Sequence, residues 1–230
     1  MSTVRVDPAT ATMISLIGSL ADNKSALGRR YGEWAVSAPT IESAVAAAAM
    51  AQDELGHARS TYPVLDKLGV SRPEDPGLDA GHPMFVISQE LPDWASFIAA
   101  NLVVDGILTT FVASARDSSI EPLAQRARKI LQEEGAHRVH AEAWARRIGR
   151  VGGEDLALLR RRIDEMWAEA ARWPGPDSDS GYAEAVAAGM VDSGPAAIRA
   201  RVRDWLLPLV DGMSLDEPTD WSDWNEQYRR

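Results

Sequence analysis

Glu54-Leu55-Gly56-His57 and Glu134-Gly135-Ala136-His137 are the two strings on which the reading of this chain turns. Each is a Glu followed three residues later by a His, inside a long run rich in Ala, Leu, Arg, Glu and Gln, the residues that favour helix. Residues i and i+3 leave one face of a helix together. The carboxylate can then bridge two ions while the imidazole holds one of them terminally. The chain has only four histidines, and these strings use two of them.

Working outward, the helix breakers divide the chain. Ser37-Ala38-Pro39 separates a first helix, 8–36, from a second, 40–68, because proline restricts the residue before it. The Gly/Pro-rich stretch 69–92 is too long for a tight turn and reads as a crossover. A third helix over 93–115 and a fourth over 120–148 follow, parted by Asp117-Ser118-Ser119. Two antiparallel hairpins joined by one long crossover make an all-α, ferritin-like four-helix bundle. Residues 1–150 are expected to form it. Residues 151–230 carry further helices, at 154–173, 182–188 and 195–210, and an acidic, aromatic tail expected to pack on the bundle.

The bulk properties exclude several classes. At 230 residues the chain can bury a full core without staples, and with no cysteine it has no disulfide framework, thiolate metal site or Cys nucleophile. A reducing, cytoplasmic setting is the expectation. The net charge of -10 and pI near 4.9 oppose a nucleic-acid binder, which needs surplus Lys and Arg facing phosphate. The apolar run 13–21 reads as core rather than as a leader, and no stretch reaches the roughly 18 uninterrupted apolar residues of a membrane span, so neither nucleic acid nor membrane is an expected partner.

Helix heights test the ligand pattern independently, since a site in a bundle draws on all four helices at one level. Glu54 lies about 16 residues past the first turn, so its antiparallel neighbour falls near residues 22–24. Glu134 lies about 15 residues past the second, which brings Asp105 to its level. Asp105 is an acid in the apolar run 102–108, and a buried carboxylate without a partner is costly. On the first helix, however, the level is held by Lys24, with Asp22 turned well away. The expected metal ligands are therefore Glu54, His57, Asp105, Glu134 and His137, with Lys24 in place of a sixth, carboxylate ligand.

Charge decides what this set can hold. Two ferrous ions balance four carboxylates, whereas three carboxylates and an ammonium leave an excess of about +2 in a low-dielectric interior. One divalent ion with charged Lys24 balances, and so does a metal-free cluster in which Lys24 and two protonated histidines face the three acids. Both readings stand at this level.

The segments Gly32-Glu33-Trp34 with Ala38-Pro39, Ala51-Gln52-Asp53-Glu54-Leu55-Gly56-His57-Ala58-Arg59, Val104-Asp105-Gly106 and Glu133-Glu134-Gly135-Ala136-His137 resemble the phenylacetate catabolic family, the ferritin-like subunits of the multicomponent oxygenase that epoxidises the ring of phenylacetyl-CoA. That family has a catalytic subunit with a complete di-iron site and a smaller sister subunit whose site is degenerate and whose role is structural. The first-helix Glu of the catalytic subunit falls on Lys24. The resemblance implies iron, mononuclear or paired, and oxygen insertion into a CoA thioester. It also implies electrons from a separate flavin and iron-sulfur reductase, and a homo- or hetero-oligomer with a related catalytic subunit. In that scheme Glu54 and Glu134 bridge, with Lys24 at the third catalytic position, His57 and His137 bind terminally, and Asp105 completes the second iron. Lys24 points to the sister subunit and the five retained ligands to the catalytic one.

Two other readings compete: a self-sufficient iron oxygenase or oxidase acting on another substrate, and a non-enzymatic helical scaffold with a metal-free ion cluster. The remaining features read more plainly. His140 is expected on the helix surface and His82 to be incidental. The basic runs 146–150, 160–162 and 199–203 read as solvated faces. Trp34 and Trp94 are interface candidates.

Overall fold

Asp7 opens the first helix by accepting a hydrogen bond from the Thr10 N–H at 2.9 Å, with Pro8 in the first turn where its missing N–H costs nothing. The computed structural model describes residues 6–70 and 81–230. Helix α1 (Pro8–Trp34) turns at Ser37-Ala38-Pro39 into α2 (Ile41–Lys67), which Thr40 caps through the Ser43 N–H. The two pack along their whole length. Gly28 permits this, since a Cβ there would stand 2.7 Å from the Leu55 side chain.

The centre of the crossover, 71–80, lies outside the described residues. Its second half carries one short helix, α3 (Phe85–Ser88), whose first N–H groups are bound by the Glu169 carboxylate. Asp93 then caps a rod running from Trp94 to Ser114, built of α4 (Trp94–Ala99), a π-helical turn (Ala100–Asp105) and α5 (Gly106–Ser114). The sequence predicts an unbroken α-helix here. The π turn is a difference the hydrophobic pattern cannot register, since every residue from Ala95 to Ile107 except Gly106 is buried and periodicity is lost. By length and composition this rod could cross a membrane, but 83% of it is buried among the other helices.

Helix α6 (Glu121–Val151) completes the second hairpin, and α2 lies against it. The architecture is the all-α, ferritin-like bundle. Gly152 and Gly153, at φ 69° and 61°, provide the left-handed turn into α7 (Gly153–Ala170). Helix α7 covers α4 and the π turn, α8 (Ser180–Ala187) lies on α1, and α9 (Pro195–Leu206) lies on α5. The tail returns to α1, where Ser15 and Ser19 donate to the Glu226 and Tyr228 carbonyls. This wrapping leaves α1 buried nearly all round, including the whole run 16–24.

Candidate functional site: a lysine-centred carboxylate and histidine cluster

Lys24 stands midway along α1 with its side chain wholly buried, and its ammonium is the hub of the bundle. Nζ lies 3.0 Å from Glu54 Oε1 on α2, 2.5 Å from Asp105 Oδ1 at the end of the π turn, and 2.5 Å from Glu134 Oε1 on α6. Each of an ammonium's three N–H bonds thus reaches a carboxylate on a different helix. All three acids are no more than 4% exposed. His57 and His137 close the cluster from the sides: Nδ1 of His57 lies 3.3 Å from Glu134, and Nδ1 of His137 lies 3.4 Å from both Glu54 and Glu134 and 3.5 Å from Asp105.

The rear nitrogens of the two imidazoles are held by acids that the i, i+3 spacing does not single out. His57 Nε2 meets Glu133 at 2.8 Å and His137 Nε2 meets Asp53 at 3.3 Å. Each string is therefore an acid-Glu-x-x-His pattern in which the extra acid serves the histidine of the opposite helix. The signal is present in the chain, since Asp53 and Glu133 directly precede Glu54 and Glu134. At 100° per residue a neighbour in sequence leaves the shared face, and only the closeness of α2 to α6 brings it to the other histidine.

Burial and charge oppose each other at every group. Burial disfavours the Lys24 ammonium, but Asp105, Glu134 and Glu54 outweigh it and hold the pKa well above the ordinary lysine range. Burial likewise acts to neutralise Glu54 and Glu134, and Lys24 overrides it, so both are lowered, Glu134 strongly. Asp105 goes the other way: burial, then repulsion from Glu134 and Glu54, exceeds the pull of Lys24 and raises it to about 6. His57 rises to about 9 and His137 to about 12, because the surrounding carboxylates overcome the burial that would push them down. Near neutral pH three cations face three carboxylates, and the cluster balances without a metal.

One donor atom each from Glu54, Asp105, Glu134 and His137 falls within 4.8 Å of the others, a donor set of the kind that can hold a metal ion. The Lys24 ammonium touches three of those four residues, so it and an ion would claim the same space. With Lys24 seated, the residues do not fit a di-iron pair. Beside the cluster, a cavity of about 230 Å³ reaches Asp105 and Glu134 and is bordered by Asn101, Thr109, Arg138 and Trp205. Trp205 lies over Gly106, with Arg138 stacked on its ring at 4.4 Å.

The sequence matches the family described as phenylacetic acid catabolic protein over residues 2–230. The chain belongs to that family. Two relatives, both components of the 1,2-phenylacetyl-CoA epoxidase of Escherichia coli (strain K12), are similar to it. One component of that enzyme is 24% identical over an alignment of 243 residues that covers 96% of this chain and 78% of the relative. A second, different component is 26% identical over 155 residues, 64% of this chain and 62% of the relative. This member of the phenylacetic acid catabolic family thus resembles two distinct polypeptides of one enzyme.

Other expectations change on the structure. His140 is half-buried rather than free in solvent: its two ring nitrogens are buried without hydrogen-bond partners among the described residues, and the ring stands edge-on to Trp94 and Phe97. Burial and the nearby His137 lower its pKa. His82 is not incidental, since its N–H binds Asp22 at 3.0 Å and its ring lies 3.9 Å from that of Tyr228, tying the crossover to the tail. Trp34 and Trp94, both half-buried, meet edge-to-face at 5.4 Å in an aromatic group with Phe97. Arg199 is no solvated arginine; it is 2% exposed and bound by Asp177, Glu217 and the Gly175 carbonyl.

Proposed function

We propose that this chain is a non-catalytic, ferritin-like component of a phenylacetyl-CoA-type ring-epoxidising oxygenase, working in the cytoplasm beside a related catalytic subunit. The observation that carries this reading is the Lys24 ammonium, seated among Glu54, Asp105 and Glu134 at the level where a catalytic relative would need a fourth carboxylate. The family membership and the two epoxidase components it resembles support the complex. In this role the cluster clamps four helices. Lys24 ties α1 to α2, to the π turn and to α6, and the crossed His57–Glu133 and His137–Asp53 pairs bind α2 to α6 a second time. The electrons, the iron and the CoA thioester then belong to the catalytic partner.

Co-expression tests it. The chain, produced together with a family member that retains the full carboxylate set, is expected to co-elute with it as one species of defined stoichiometry. Epoxidation of phenylacetyl-CoA, supplied with a reductase, is expected from the pair. Turnover by this chain in the partner's absence overturns the reading in favour of a self-sufficient oxygenase.

A further inference from the structure

The centre holds more donors than the ammonium uses. Lys24 satisfies one oxygen each of Glu54, Asp105 and Glu134. Glu54 Oε2, His57 Nδ1 and His137 Nδ1 are buried at the same centre, and none has a hydrogen-bond partner. The two Nδ1 atoms lie 3.3–3.6 Å from the cluster carboxylates without aligning on any of them. Charge holds these atoms together, but a buried polar atom with no aligned hydrogen bond regains only part of its lost hydration, so three at one point call for an explanation. Lys24 and the two imidazoles, which carry their protons near neutral pH, all supply donors, while Glu54 Oε2 is an acceptor that none of them aligns on. A divalent cation would displace the imidazole protons and take both carboxylate oxygens and imidazole nitrogens. The imidazoles are moreover held from behind by Glu133 and Asp53, the arrangement that orients a metal-ligating histidine.

We propose that Lys24 is the built-in cation of a latent divalent-metal site: its ammonium keeps ions out of a donor set otherwise complete for one ion, and replacing that one side chain opens the site. Charge sets the number of ions. With Lys24 replaced by a neutral residue, the three carboxylates Glu54, Asp105 and Glu134 match one divalent cation to within a single charge. With Lys24→Glu, four carboxylates match two. The inference deepens the reading of the same centre given above, but it is tested on the isolated chain. It can fail while the reading as a non-catalytic component stands, and that reading can fail at co-elution while this one holds.

The probe is Co(II), followed by calorimetry, by elemental analysis after desalting, and by the visible absorption of the bound ion. Wild type is expected to retain none. Lys24→Ala and Lys24→Met are expected to retain about one ion per chain and Lys24→Glu about two, following the charge match. Adding His137→Ala to Lys24→Ala is expected to weaken binding by on the order of 10-fold to 100-fold, the usual effect of disturbing a metal's ligand surroundings. Stoichiometric Co(II) in wild type overturns the proposal, as does a folded Lys24→Met that binds none, or binding that His137→Ala leaves unchanged. If the Lys24 variants do not fold in metal-free buffer, refolding in Co(II) becomes the readout. Rescue supports the latent site, and failure of rescue overturns it.

Discussion

The two hairpins of the bundle follow one plan and differ at one position. In each, the second helix carries an acid, a Glu and, three residues on, a His: Asp53, Glu54 and His57 on α2, Glu133, Glu134 and His137 on α6. The histidines trade acids across the pair, and both glutamates reach the centre. On the first helix of each hairpin, the residue at that level is Lys24 in one and Asp105 in the other. A single carboxylate exchanged for an ammonium turns a donor set for metal into a self-neutralising ion cluster. The difference also places a buried ion cluster between the hairpins, where it joins their halves.

The largest expected effect comes from removing the odd residue. Lys24→Met leaves three buried carboxylates facing only the two imidazoliums, and the loss should be about 3–5 kcal/mol in metal-free buffer at neutral pH, read from the urea midpoint. A loss below about 1 kcal/mol would mean that the hairpins do not depend on their unlike residues.

Next come the acids, which should not be equivalent. Glu134 is held well below the usual carboxylate range and Asp105 is raised to about 6. Glu134→Gln should therefore cost clearly more stability at pH 7 than Asp105→Asn, because ionised Asp105 is the poorly tolerated member. Equal costs would break the distinction between the two acids of the second hairpin.

The pH profile is a third measure. A histidine whose folded pKa is raised stabilises the fold fully below its unfolded value, about 6.5, and loses that contribution as pH rises through the folded one. Stability should thus fall from about pH 6.5 to about 9 as His57 and His137 both lose their contributions, and less steeply from there to about 12, where only His137 still titrates. Glu54 and Glu134, being lowered, contribute above the unfolded carboxylate value of about 4.5 and lose that contribution on acidification. Asp105 opposes them, gaining stability as pH drops through about 6. Urea midpoints from pH 4 to 10 should be highest near about pH 6 and decline from there, and His57→Gln should make the decline between about 6.5 and 9 shallower.

The smallest effect is expected at the crossed acids. Glu133 is 30% exposed and already shared with Lys129, so Glu133→Gln should cost about 1 kcal/mol or less. A larger loss in the same urea experiment would show that the outer pairs carry the α2–α6 contact.

Much of this was legible in the chain. The caps and breakers at Asp7, Thr40, Asp93 and Gly152 mark helices within a few residues of their ends, because capping is local chemistry. Height counting from the turns brings Lys24 and Asp105 opposite Glu54 and Glu134, because the rise per residue of a helix is constant. What was not legible depends on long-range approach. The crossed pairs need the distance between α2 and α6. The π turn leaves no trace in a run that is apolar on every side. Arg199 reads as a surface charge until the tail and the loop after α7 fold over it, and Arg229 in that tail is likewise buried, bound by the Trp173 and Pro174 carbonyls.

By itself, the sequence determined the helices, their antiparallel pairing and which five polar residues share a level with Lys24, since each follows from local geometry and periodic spacing. Only the tertiary structure decided that the Lys24 side chain turns inward and binds three carboxylates on three other elements. An ammonium on a long flexible stem can as readily reach water, and its direction is set by the summed field of groups far away in sequence.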